Sequence, residues 1–378
     1  MSAPAHAPGS APVPGSGPAP GSGHAPAAAP APTAADFHQR VITDAAAAVR
    51  GLSVALGERL GLYRALAASG PLTPAQLAAQ AGITARYAQE WLHGQLSAGY
   101  VQRHPSAGTY TLPAAHAQVL ADPTAPTYAA GFFTALKALY ATEDLLVEAY
   151  RSGDGVGWAE HDPALDTGMG SFFEPTYQHR LLADWLPALD AVSGKLADGG
   201  TVADVGCGVG HTTLLLARAF PRATVHGFDY SEEAIVLARQ LAEDAGLGDR
   251  VVFETASADD YPGSGYDLVA FFNCLHDMGD PVAAAQHVHK SLDPDGSWML
   301  VESNVAPGDI DSGTPAAQMF MALSAVMCLP VALAQRGPHA LGNHSGEAAF
   351  RAIAEEAGFT RWRRATETPV NAVYEVRP

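Results

Sequence analysis

The sequence predicts an α/β protein, with a parallel sheet in its C-terminal part and a smaller, mainly α domain before it. Three observations predict this. The 378 residues exceed the roughly 250–300 that one hydrophobic core usually covers. From Gly200 onward, short β-rich runs (TVADVG, TVHGFDY, VVFETAS, YDLVAFFN, SWMLVES) alternate with helical segments such as HTTLLLARAF and SEEAIVLARQLAEDAG. Such alternation builds a parallel sheet with helices on both faces. Between Asp36 and about residue 125, helix signals dominate instead.

Residues 1–35 carry no charge and consist almost wholly of Ala, Pro, Gly and Ser. Proline removes helix and glycine adds chain entropy, so a disordered tail is expected. With neither a charged nor an apolar leader region, it is not expected to be a secretory signal. An Ala-rich amphipathic helix is expected from Asp36. Thr73 then caps a helix with Pro74 in its first turn and Gly82 as its stop. Thr84 caps the next, in which Tyr87, Trp91, Leu92 and Leu96 should share a buried face. YVQRH and GTYTLP read as two short strands around a turn. Helix, turn, helix, hairpin over 36–125 is a winged-helix pattern. Residues 126–190 form a helical segment rich in aromatics, with Phe172, Phe173 and Tyr177 as candidates to close over a ligand, and 191–378 form the sheet domain.

The charge balance, 39 acidic against 21 basic residues and a net −18, favours solubility and disfavours a polyanionic partner. Asp36 to Tyr150 hold seven Lys/Arg and eight Asp/Glu, so the winged helix lacks the basic face a DNA reader needs. Dimerisation or a lid role suits it better. Cys207, Cys274 and Cys328 show no CxxC spacing, which fits a reducing cytoplasm rather than a disulfide framework. No apolar run long enough to span a membrane is expected.

The most specific element is VADVGCGVGHTT. A strand delivers Asp204, and Gly206, Gly208 and Gly210 follow at alternate positions before a helix. Glycine is required where backbone takes positive φ or approaches a bulky ligand. A dinucleotide fingerprint would place glycine at His211, so NAD is disfavoured. The pattern DxGxGxG resembles motif I of class I S-adenosylmethionine-dependent methyltransferases, which implies a Rossmann-like sheet and S-adenosyl-L-methionine as cofactor. Asp229 ends the next strand and matches the family's ribose-binding acid, with Phe228 or Tyr230 beside the adenine. On the third strand the family's acid-Ala pair is altered. Ser257 precedes Ala258 and Asp259 follows, so either Ser257 or Asp259 is the adenine contact. Asn273, at the tip of the fourth strand, completes the expected cofactor set.

That fourth strand ends FFNCLHDMGDP. The winged helix, central helices and terminal sheet together resemble the plant-type small-molecule O-methyltransferases and their actinobacterial relatives. The resemblance implies His276 as a catalytic base followed by Asp277, Glu302 as the acid that orients it, and a homodimer. An imidazole can take a phenol or enol proton near neutral pH. The family's second flanking acid is replaced here by His344 in LGNHSGEAAF, with His339 as a substitute. This departure opens another reading. His276, Asp277 and His344 have the composition of an open iron or zinc face, as in related C-methyltransferases of 2-keto acids. A third reading is a DNA-binding regulator whose methyltransferase fold senses a ligand. The sequence does not name the acceptor or the atom methylated.

Overall fold

The computed structural model describes residues 33–378, so the expected tail lies outside it except for its last three residues. Two units meet at Ala47 and Ala48 within the first helix. In the first, helix α1 (Ala34–Arg59) begins two residues ahead of expectation. Thr33 sets the start: its Oγ1 accepts from the Asp36 amide at 3.2 Å while Asp36 Oδ2 accepts from the Thr33 amide at 3.0 Å. This reciprocal cap satisfies amides that have no intrahelical partner.

The second unit opens with helices α2 (Leu62–Ser69), α3 (Pro74–Ala81) and α4 (Ala85–Ser97), followed by the hairpin β1 (Gln102–His104) and β2 (Thr109–Thr111). Thr73 and Gln76 form a reciprocal cap on α3, and Gly82 ends it in the left-handed region. On α4 the expected face is shifted. Ala88, Trp91, Leu92 and Gln95 are buried, whereas Tyr87 is 75% exposed. The stripe at i, i+3, i+4, i+7 centres one position beyond Tyr87 and includes a polar residue that hydrophobicity alone misses. Gln95 is satisfied by the Tyr63 hydroxyl at 2.7 Å and by donating to Ser53 Oγ at 3.0 Å.

Helices α5 (Ala114–Leu120), α6 (Phe132–Ala141), α7 (Glu143–Ser152) and α8 (Ala164–Arg180) lead, through α9 (Val192–Asp198), into the sheet domain. Strand β3 (Thr201–Val205) is followed by α10 (His211–Ala219), β4 (Thr224–Asp229), α11 (Glu232–Asp244), β5 (Val251–Thr255), β6 (Tyr266–Phe272), α12 (Pro281–Ser291) and β7 (Leu292–Ser303). Next come α13 (Pro315–Leu323), α14 (Leu329–Ala334), α15 (Gly346–Glu356), β8 (Arg361–Glu367) and β9 (Asn371–Arg377). The seven strands run in the order β5-β4-β3-β6-β7-β9-β8, parallel from β5 to β7, with β9 inserted antiparallel between β7 and β8. β6 is buried on both faces, as a central parallel strand should be. Leu196, Leu214, Leu216 and Ile235 pack one face, and Val282, Val288, Phe350 and Ile353 the other.

The segment from Pro315 to Ala334 departs from expectation, being long and apolar enough to cross a membrane by length and composition, although half of it is buried within the fold. Its Phe320, Leu323 and Met327 pack with Phe132 and Leu165 of α6 and α8. That contact accounts for its apolarity as core.

Candidate active site

Strand order reverses between β3 and β6, the place where doubly wound sheets open a crevice at their carboxyl ends. A cavity of about 520 Å³ lies there, walled by the tips of β3, β4 and β6, by α8 and by the 315–334 segment. After β3 the chain must turn sharply, and three glycines with positive φ make the turn: Gly206 at 70°, Gly208 at 52° and Gly210 at 84°. Their reasons differ. A Cβ on Gly206 would come within 2.8 Å of Cys274 Sγ, and one on Gly210 within 2.6 Å of the Phe253 ring. A Cβ on Gly208 would meet no protein atom within 4 Å. Gly206 and Gly208 line the cavity, and Gly210 does not.

Asp204 is fully buried and does not line the cavity. Its Oδ2 accepts from the Thr212 and Thr213 hydroxyls, both at 2.6 Å, which ties the start of α10 to β3. Its Oδ1 has no partner, and burial pushes this carboxyl up to about 6 against the hydrogen bonds that lower it. Asp204 is therefore placed to position the loop rather than to touch a ligand. Asp229 does face the cavity. Its Oδ2 accepts from the Gly208 amide at 2.8 Å and its Oδ1 from the Ser231 amide at 2.9 Å. Each carboxylate oxygen keeps a lone pair for a further donor, so two vicinal hydroxyls could be accepted. Burial raises the Asp229 carboxyl, and the two amides oppose the rise. Ser257, Ala258 and Asp259 all line the cavity, as does Tyr230, whereas Phe228 is fully buried core. Asn273, held at φ 52°, donates from Nδ2 to the Tyr177 hydroxyl at 3.1 Å and accepts from Asn371 at 3.1 Å.

His276, 3% exposed, lines the same cavity. Its Nδ1 lies 2.5 Å from Glu302 Oε2 and its Nε2 3.3 Å from Asp277 Oδ1. Glu302 is itself fixed at the end of β7, its Oε1 accepting from the Leu275 amide at 3.0 Å. Burial by itself would lower the imidazole. The Asp277 and Glu302 carboxylates, with Cys328, outweigh it and hold His276 well above the ordinary histidine range. Asp277 is pushed up by burial and pulled back by the imidazole.

His344 is not brought to this cluster. The Gly342 amide donates to the His276 carbonyl at 3.1 Å, and the Asn343 amide to Ser324 Oγ at 3.0 Å. These bonds turn Asn343 into the cavity wall, and the next side chain lies outside it; His339 is exposed. The third group beside His276 and Asp277 is Cys328, and the three potential ligand atoms all lie within 4.8 Å of one another. Burial and Asp277 push the Cys328 thiol up to about 12. Cys328 ends a π-helical turn, Ser324–Cys328. Such one-residue insertions often re-aim side chains at functional sites.

Phe172, Phe173 and Tyr177 line the cavity as expected, and Met327 joins them. Trp158 and Asp166 were not visible in the sequence. The Trp158 indole donates to Asp166 Oδ1 at 2.6 Å, and both face the cavity near Asp229. Among the described residues that line the cavity there is no lysine or arginine, while Asp166, Asp229, Asp259, Asp277 and Asp280 are present. The amides at the start of α10, which have no intrahelical partner, supply the anion-friendly part of the wall.

A family model described as "Methyltransferase domain" matches residues 196–357, and one described as "Rv2258c-like winged HTH domain" matches residues 47–122. Ajmaline N-methyltransferase of Rauvolfia serpentina is 33% identical over 109 residues, 24% of this chain and 37% of that protein. Acetylserotonin O-methyltransferase of Mus musculus is 28% identical over 183 residues, 47% of this chain and 43% of that protein. The chain thus aligns with less than half the length of either relative. Human N-acetylserotonin methyltransferase, solved in complex with SAM, superposes with a TM-score of 0.65 at 18% identity, covering 92% of this chain and 99% of that one. At that identity the likeness concerns the fold. Residues 196–357 thus match a methyltransferase domain and residues 47–122 a winged HTH domain ahead of it.

Proposed function

We propose that this protein transfers the methyl group of S-adenosyl-L-methionine to a small-molecule acceptor of secondary metabolism, with His276 as the base. The observation that carries the reading is the pairing of His276 with Glu302 at the wall of a cavity that the Gly206–Gly208 turn and Asp229 also line. Asp229 would accept the ribose hydroxyls. The acidic wall suits a ligand bearing a sulfonium and an ammonium, and the start of α10 suits its carboxylate. Methyl transfer is an in-line displacement, so the protein must align the acceptor oxygen with methyl and sulfur and remove the acceptor's proton. Nε2, the ring nitrogen not bonded to Glu302, would take that proton, while Glu302 holds Nδ1 and stabilises the imidazolium formed. Asp229→Ala should abolish binding of S-adenosylhomocysteine in calorimetry. His276→Ala should keep that binding and lose about 10²–10⁴-fold in turnover; retained turnover would remove His276 from the mechanism. The reading includes a cytoplasmic homodimer. The winged helix serves assembly rather than DNA, since its helix α4 pairs Arg86 with Glu90 and carries no other formal charge. A gel shift at moderate salt tests that point.

A second reading is favoured by the cluster His276, Asp277 and Cys328. Its imidazole, carboxylate and thiol fit zinc better than iron, and Glu302 on Nδ1 is the outer partner that a metal-bound histidine usually has. These side chains would hold the ion, whose chemistry would be Lewis-acid polarisation of a 2-keto acid for C-methylation. Elemental analysis of dialysed protein decides: about one equivalent of zinc, lost in Cys328→Ser, supports this reading, and metal-free protein removes it.

A further inference from the structure

We infer that the acceptor end of the cavity selects an uncharged or cationic aromatic molecule and rejects anions; this rests on the methyl-transfer reading and names its substrate class. Met169, Phe172, Phe173, Phe320, Leu323 and Met327 line the cavity and belong to one apolar cluster with Cys328, the thiol beside His276. Phe132 and Phe172 pack at 4.8 Å between ring centroids, and Phe172 and Phe173 at 5.1 Å. An apolar lining that carries aromatic rings, here packed tilted and edge to face, favours an aromatic guest.

Charge decides the rest. A carboxylate, sulfonate or phosphate on the acceptor would need a cation, and among the described residues no lysine or arginine lines the cavity. The imidazole of His276 does not serve, because Asp277 and Glu302 already flank it, at 3.3 and 2.5 Å. Both ring nitrogens are thus already committed to acidic neighbours and offer a guest anion no free donor. His211, the other lining imidazole, lies 3.4 Å from Glu174. The start of α10 lies at the glycine turn, where it serves the cofactor's own carboxylate. A guest anion would therefore be stripped of water beside Asp277 with nothing to replace it, and like-charge juxtaposition of this kind is strongly disfavoured. The polar groups that remain are neutral. Asn343, 5% exposed, has its Oδ1 engaged by the Ser303 hydroxyl at 2.5 Å. Its amide is thereby left to donate to an acceptor's carbonyl or ether oxygen.

The test uses three probes of one size on the full chain saturated with S-adenosylhomocysteine, in buffer containing EDTA: 2-naphthoate, its methyl ester and 2-naphthylmethylamine. Calorimetry should show the ester and the amine binding, and naphthoate roughly 100-fold weaker than its ester. Met327→Lys, placing a cation in the wall, should reverse the preference for ester over carboxylate. Naphthoate binding as tightly as its ester in the wild-type protein would overturn the inference, whether or not the variant folds. Failure of all three probes would overturn it too, because the aromatic chamber would then be wrong. The first titration, of S-adenosylhomocysteine alone, separates the two layers: its failure sinks the methyl-transfer reading, and its success leaves only the acceptor class at stake.

Discussion

If His276 is the base, its protonation should set the acid side of the pH profile, and Asp277 should control where that side falls. The imidazole is held well above its ordinary range, with burial opposed by Asp277, Glu302 and Cys328. A base must be neutral to act, so kcat/KM should rise with pH through the His276 titration. Asp277→Asn removes one carboxylate 3.3 Å from Nε2 and leaves the Glu302 bond to Nδ1 intact. Two unit charges at that separation interact by about 5 kcal/mol at an effective dielectric of about 20, which is a ceiling. Asp277 is partly open to the cavity, its side chain 16% exposed. If about a third of the ceiling is realised, roughly 1.7 kcal/mol, the neutral imidazole becomes about 15-fold more populated below the titration. Losing an anion disfavours the imidazolium, so the acid limb moves to lower pH. The assay is kcat/KM from pH 5 upward for wild type and variant, each scaled to its own plateau. At the acid end the scaled variant should exceed wild type by about tenfold. An unmoved limb would mean that it does not belong to His276, and the base assignment would fail with it.

Two further outcomes follow from the glycine turn and its anchor. Gly208→Ala should weaken S-adenosylhomocysteine at least about tenfold, because the new methyl enters space free of protein atoms. Its cost to stability should stay near 1–2 kcal/mol, the strain of left-handed backbone. Gly210→Ala should do the opposite in emphasis, destabilising the fold through its clash with Phe253; equal affinity loss without unfolding would contradict this division. Asp204 is raised to about 6, above an unfolded value near 3.9. The native state then holds the extra proton between those values, so stability contributed by this group is lost as pH rises through them. Asp204→Asn keeps an acceptor for Thr212 and Thr213 and removes the charge. Its denaturation free energy relative to wild type should grow by on the order of 3 kcal/mol from pH 4 to above 6, and a pH-independent difference would refute the assignment.

The parts of the site that could be read from sequence share a property: each sits at a strand end, where local pattern and chain position agree. Asp204, the three glycines, Asp229, His276 and Glu302 all occupy such ends, so strand-helix alternation places them without knowledge of side-chain packing. Ser257 and Asp259 both reach the cavity wall, one on each side of Ala258. Tyr87 fails for a different reason. A helical stripe was assigned from aromatic and aliphatic residues alone, and the buried Gln95, with two hydrogen bonds, shifts the true stripe by one position.

The residues that sequence did not show come from the segments around the sheet. Trp158 and Asp166 lie near and in α8, and Cys328 ends an apolar run that reads as core by any hydropathy measure. Nothing local marks them, because their role depends on how the 315–334 segment is laid against the cavity. A single inserted residue at Ser324–Cys328 decides that the thiol ends beside His276. A single register step decides that Asn343 rather than His344 turns inward. The substitution of histidine for an acid in this loop therefore says little about the chemistry. What the fold places at the cavity wall instead is a neutral amide, and that exchange moves the acceptor's recognition from charge to hydrogen bonding and apolar contact.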